Sequence, residues 1–251
     1  GVEHEAYTDR GLRLNELRME MHRLGNPYIP ANLVIPTLIG CQQQKTEETS
    51  IYKENYEIIG AAKQEILGEV SGSIYFTSDR ENLNAPEVSH EVTREGLELS
   101  VPIDGRYEIF AGPQGNISVF DEHGHLLLKE VVGYLVGGNS ITMDLKNTYK
   151  IYVDGGYDGV YVTPVNTELK TNLTKGIWDV GLDIEPGIYS VKLTDQGFGY
   201  LQIFEKNQSP RVFEFISIDS ISTESTIELK DGQKLKVSQT PSLEFIPEIE
   251  K

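Results

Sequence analysis

From about residue 69 onward the chain alternates. Short segments rich in Val, Ile, Tyr, Phe and Thr set apolar against polar positions with a period of two. Turn signals separate them: Ser-Gly-Ser at 71–73, Asp-Glu-His-Gly at 121–124, Gly-Gly-Asn at 137–139, Asp-Gly-Gly at 154–156, Glu-Pro-Gly at 185–187 and Lys-Asp-Gly-Gln at 230–233. Half-buried strands broken at short intervals are the pattern of an all-β sandwich or barrel. The expected fold class is therefore mainly β, with two tandem β-sandwich or jelly-roll-like repeats behind a short helical and extended N-terminal region.

The first third follows another period. Residues 11–24 place Leu14, Leu17, Met21 and Leu24 on one helical stripe, and Gly25-Asn26-Pro27 stops it. Three prolines (Pro27, Pro30, Pro36) then predict an extended arm, and 41–50 reads as a polar linker. A second helix is expected after Ser50, with Ile51, Ile58, Ile59, Ala62, Ile66 and Leu67 on one side and Gly68 ending it. The predicted domains are an arm and linker over 1–68, a first β repeat over 69–166 and a second over 167–251. The stretch 71–78 is expected to add a strand to the first.

The duplication rests on a shift of 84 positions. It lays Thr142, Leu145, Lys146, Lys150 and Val153 on Thr226, Leu229, Lys230, Lys234 and Val237. It also lays Phe120 on Phe204, Glu130 on Glu214 and Tyr161 on Phe245. A Gly-x-Tyr pair (Gly105 and Tyr107; Gly187 and Tyr189) recurs at a shift of 82, which places a two-residue indel in the intervening loop. Local chemistry agrees. Pro186-Gly187 suits a type II turn, and Gly124 suits the left-handed position of a hairpin.

Residues 176–247, with Val180, Gly181, Asp183, Ile184, Pro186, Gly187 and Tyr189 followed by Leu229, Lys230, Asp231 and Gly232, resemble a known family. It is the small β repeat of secreted, lipid-anchored or membrane-tethered proteins of Gram-positive bacteria and their mobile elements. Residues 96–164 resemble it less closely, because Val101 to Tyr107 lacks the Pro-Gly turn. The resemblance implies a β fold and a cell-envelope location. It brings no catalytic residue with it.

Charge narrows the partners. The net charge of −17, from 39 acidic and 22 basic residues, argues against nucleic acid and against an anionic bilayer surface. The single cysteine, Cys41, excludes an internal disulfide and a cysteine-based zinc site. No apolar run is long enough for a transmembrane helix.

Candidate chemistry is sparse. Leu38-Ile39-Gly40-Cys41 has the form of a lipobox, which makes Cys41 a candidate lipid anchor; the competing reading is a buried cysteine in the arm. His123 and His125, with Asp121 beside them, have metal-ligand spacing, but Gly124 between them favours a wet hairpin tip. Asp154 and Asp158 lie four apart among glycines, without the further ligands of a calcium loop. Trp178, Tyr200, Tyr157 and Tyr161 are candidates for a ligand or protein contact, with core packing as the alternative. There is no nucleophile elbow, His-Glu-x-x-His or phosphate-cradling glycine loop. The expectation is thus a non-catalytic, extracellular or surface module with no cofactor, whose partner is a protein or a cell-wall carbohydrate surface. The alternatives are a virion or other assembly subunit that docks or oligomerises through residues 1–45, and an all-β hydrolase whose two carboxylates come from distant strands.

Overall fold

The computed structural model describes residues 51–92, 95–134, 140–155 and 158–249. The helix predicted over 11–24, the arm and linker, Cys41 and Tyr157 lie outside them. The chain is mainly β. Its described strands are β1 (Glu57–Ile58), β2 (Val88–His90), β3 (Leu97–Leu99), β4 (Gly105–Gly112), β5 (Gly115–Phe120), β6 (Leu126–Val132), β7 (Ser140–Leu145) and β8 (Lys150–Asp154). They continue with β9 (Gly159–Pro164), β10 (Asn172–Asp179), β11 (Gly187–Leu193), β12 (Gly197–Phe204), β13 (Arg211–Ile218), β14 (Ile221–Ser222), β15 (Ser225–Leu229) and β16 (Lys234–Pro247). Residues from Lys53 on form one compact unit.

The pairing of residues 88–164 recurs in 172–247. In the first half β4 lies between β7 and β9, with β2 beyond β9, while a second sheet runs β3-β8-β5-β6. In the second half β11 lies between β15 and the C-terminal end of β16, with the start of β10 beyond. The end of β10, the start of β16, β12 and β13 repeat the order of the other sheet. One difference separates the halves. Here β10 and β16 pass from one sheet into the other without a break, through a register shift between Thr174 and Gly176 and a left-handed Gln239 at φ 59°. Two hydrophobic clusters follow the same division except that Ile177 and Phe204 join the first, which gathers around Tyr107, Ile109 and Ile151; the other gathers around Tyr189, Val191 and Leu235.

The repeated Gly-x-Tyr acquires a physical reason. Tyr107 is buried and its hydroxyl donates to the carbonyl of Ile103 at 2.9 Å. Tyr189 does the same to Glu185 at 2.8 Å. Each ring packs in the core while its hydroxyl ties down the loop that enters the strand.

Three local expectations need correction. The second helix, α1, runs only over Gly60–Leu67. Before it, Asn55 and Tyr56 are left-handed and β1 pairs with β13, because Ile58 gains complete burial there and Glu57 accepts a bidentate bond from Arg211 at 2.8 and 2.9 Å. The stretch 71–78 is not a strand. Ser71 caps a 3-10 turn over Gly72–Tyr75 by accepting from the Ser73 amide, which drops Ile74 into the first cluster. The closing strands also slip by one residue. Ile109 faces Val162 and Val191 faces Phe245, so Phe245 takes the place of Val162, not that of the exposed Tyr161. The lost residue falls at the bend around Gln239.

Candidate functional site

The residues singled out from sequence scatter. His123 and His125 sit on the turn between β5 and β6, where Asp121 accepts from both backbone amides at 2.8 and 2.9 Å and from the Ser71 hydroxyl. Burial alone would raise the Asp121 carboxyl; these donors outweigh it and hold the group well below the usual range. Asp121 is thereby a turn staple. Asp154 accepts from the Asn116 side chain at 2.8 Å, and the amide of Asp158 donates to the Gly112 carbonyl at 3.0 Å. Among the described residues no three or more His, Cys, Asp or Glu side chains are grouped to hold a metal ion.

Two of the aromatic candidates are buried. Trp178 is only 5% exposed and Tyr200 only 1%, so neither presents a contact surface. Trp178 lies under the Arg106 guanidinium, 4.9 Å from its ring centre, and donates to the Thr174 carbonyl. Tyr161 does reach the surface, at 43% exposure.

What the strand alternation hid is a buried charge cluster where the two halves meet. The first half supplies Arg106 on β4 and Asp144 on β7; the second supplies Asp179 at the end of β10, Asp183 in the following loop and Lys234 on β16. Arg80, from the segment before β2, reaches all three carboxylates: Asp144 at 3.0 Å, Asp179 at 2.6 Å and Asp183 at 2.7 Å. Arg106 bonds Asp144 at 3.2 Å, Asp183 at 3.1 Å and the Ile177 carbonyl at 2.8 Å. Lys234 meets Asp179 and donates to the Phe76 carbonyl at 2.7 Å. Three cations face three carboxylates, so the cluster is neutral. Burial opposes the charge on Asp144, yet Arg106 and Arg80 prevail and hold its carboxyl below the usual range.

A cleft of about 340 Å3 opens beside Lys234, lined among others by Tyr75, Thr77, Asp179, Lys206 and Asp231. Its two buried charges, Asp179 and Lys234, are committed to each other, and Lys234 also bonds Thr77.

A second polar group lies between β6 and the bends of β10 and β16. Glu130 accepts from the Gln239 amide at 3.1 and 3.2 Å, while Lys175 donates to Val131 and Lys236 to Leu127. Burial raises Glu130 to about 7 despite the two lysines and the amide. The folded state therefore binds a proton more readily than the unfolded chain. Its contribution to stability is complete below the ordinary carboxyl range and is lost as pH rises through about 7. Glu130→Gln should abolish this slope in urea titrations at pH 5 and 8. At pH 8 the variant should gain about 3 kcal/mol, since the raised value of about 7 already includes the pull of both lysines. A parallel decline in both proteins would refute the assignment.

Among the described residues, no helix is long and apolar enough to cross a membrane. No protein-family model, curated protein or solved structure matches the chain.

Proposed function

We propose that the chain is a non-catalytic module of a cell surface or envelope, made of two copies of one β unit fixed as a single rigid spacer and binding body. One observation carries the reading. The six charged groups of the junction are consumed by each other, with Arg80 bonded to all three aspartates. A reaction centre needs groups held ready for a substrate; here they are already satisfied. The recurring tyrosines likewise point into the cores and serve the loops. The acidic surface fits a hydrated, extracellular setting.

The test is made on the cells that produce the protein. Protease added to intact cells should remove it, and the purified chain should release no product from chromogenic glycosides or esters. Recovery only in the cytosolic fraction, or turnover that survives repurification, would refute the proposal. Cys41→Ala adds a separate arm: release of the chain from the membrane fraction would support the lipid anchor, and unchanged fractionation would end that part.

A further inference from the structure

On the outer side of the sheet β7-β4-β9-β2, three aromatic rings gather around two glycines. Gly112 and Gly159 are paired across β4 and β9. A side chain at Gly112 would come within 3.1 Å of Phe110 and 3.9 Å of Tyr134; one at Gly159 would come within 3.3 Å of Tyr161. The rings thus occupy space that only glycine leaves open. Phe110 and Tyr161 are directly paired, with ring centres 6.0 Å apart and planes tilted by 38°. That is a side-by-side platform, not a stacked core pair. Tyr134 is 63% exposed and Tyr161 43%, so both rings stand open beside the half-buried Phe110.

The surrounding polar groups indicate the occupant. Residues directly opposite in a sheet share a face, and positions two apart along a strand share it too. Ser140 and Ser89 therefore flank the rings, and the next row holds Glu108 and Thr163. Thr163 donates to Glu87 at 2.9 Å. These neighbours offer hydroxyls and carboxylates but no cation, and the one arginine of the same strand face, Arg106, is sealed in the junction. Carboxylates repel phosphate and uronate and accept hydroxyl donors.

We infer that this face binds an uncharged polysaccharide, stacking pyranose rings on Phe110, Tyr134 and Tyr161 and receiving their hydroxyls at Glu108 and the flanking Ser and Thr. The electron-rich aromatic faces attract the polarised C–H edges of a sugar ring, and a few placed acceptors orient it. The inference rests on the binding-module reading and names its ligand class.

The test uses the full chain and three insoluble probes: cellulose, chitin and xylan particles. At least one should deplete the protein from solution. The double variant Tyr134→Ala/Tyr161→Ala should bind it at least 10-fold more weakly with an unchanged melting curve, since both rings are exposed, whereas Tyr161→Phe should retain binding. No depletion by any of the three, retention only on a polyanion such as heparin, or wild-type binding by the double variant would overturn the site. Release of reducing ends from a bound probe would instead leave the site standing and overturn the non-catalytic reading.

Discussion

Arg80→Met should cost about 3–5 kcal/mol, because it removes one side of a buried charge network and leaves the other side in place. With Arg80 gone, three carboxylates face only Arg106 and Lys234, and Asp179 loses its 2.6 Å bond. Arg80→Lys should recover little, since one ammonium cannot repeat a planar fork that reaches three acids. The loss should be measured by denaturant unfolding at pH 7 and again near pH 4. Removing the cation lets Asp144, which Arg106 and Arg80 hold below the usual range, protonate more easily in the folded state, so the deficit should shrink as pH falls. Arg80→Met combined with Asp179→Asn restores the balance of charge and should cost less than the two single changes added together. An additive pair, or a deficit that is the same at both pH values, would mean that Arg80 contributes packing alone.

The same cluster marks the boundary of what the sequence reveals. Strand period, turn chemistry and the mainly-β class are legible, because alternation and Gly or Pro turns are local. The hairpin at Asp121–Gly124 forms as its letters suggest, with Gly124 at φ 80° and its amide bonded to the Asp121 carbonyl at 3.0 Å. Arg106 was not legible. In GRYEIFAG the residues Tyr107, Ile109 and Ala111 fill the inner face, so Arg106 reads as an outward, solvated position. At Arg106 that outward face is covered by the second half of the chain, through Asp183 and the Ile177 carbonyl, and nothing in the local period records it. Lys234 misleads in the same way: KLKV looks half-exposed, yet Lys234 is buried against Asp179. Arg80 and Asp183 lie 103 residues apart, so only folding brings them together. Trp178 and Tyr200 mislead for a related reason. They stand on strands whose both faces are covered. Tyr161 was correctly placed at the surface but aligned with the wrong partner, because one residue lost at the bend near Gln239 moves Phe245 into the core.

Gly176→Ala should be among the most damaging substitutions of a single small residue. Gly176 forms the parallel pairing of β10 with Thr142 of β7, which joins strands of the two halves. It has φ 144°, and a Cβ placed there would come within 2.0 Å of the Thr142 carbonyl oxygen. The obstacle is backbone, so no rotamer change relieves it; β7 and β10 must move apart. Backbone strain and overpacking each cost roughly 1–3 kcal/mol, so a total of about 2–5 kcal/mol is expected in urea unfolding. Separation of the strands should also disturb the nearby Ile177 carbonyl that receives Arg106 at 2.8 Å, which makes the effect partly non-additive with Arg106 variants. Gly124→Ala supplies the control. Gly124 is also left-handed, at φ 80°, but nothing lies within 4 Å of its added Cβ, so only the conformational penalty of about 1–2 kcal/mol applies. Equal losses at the two glycines would show that conformation alone matters. A clear excess at Gly176 would show that the junction depends on the close approach of two backbones.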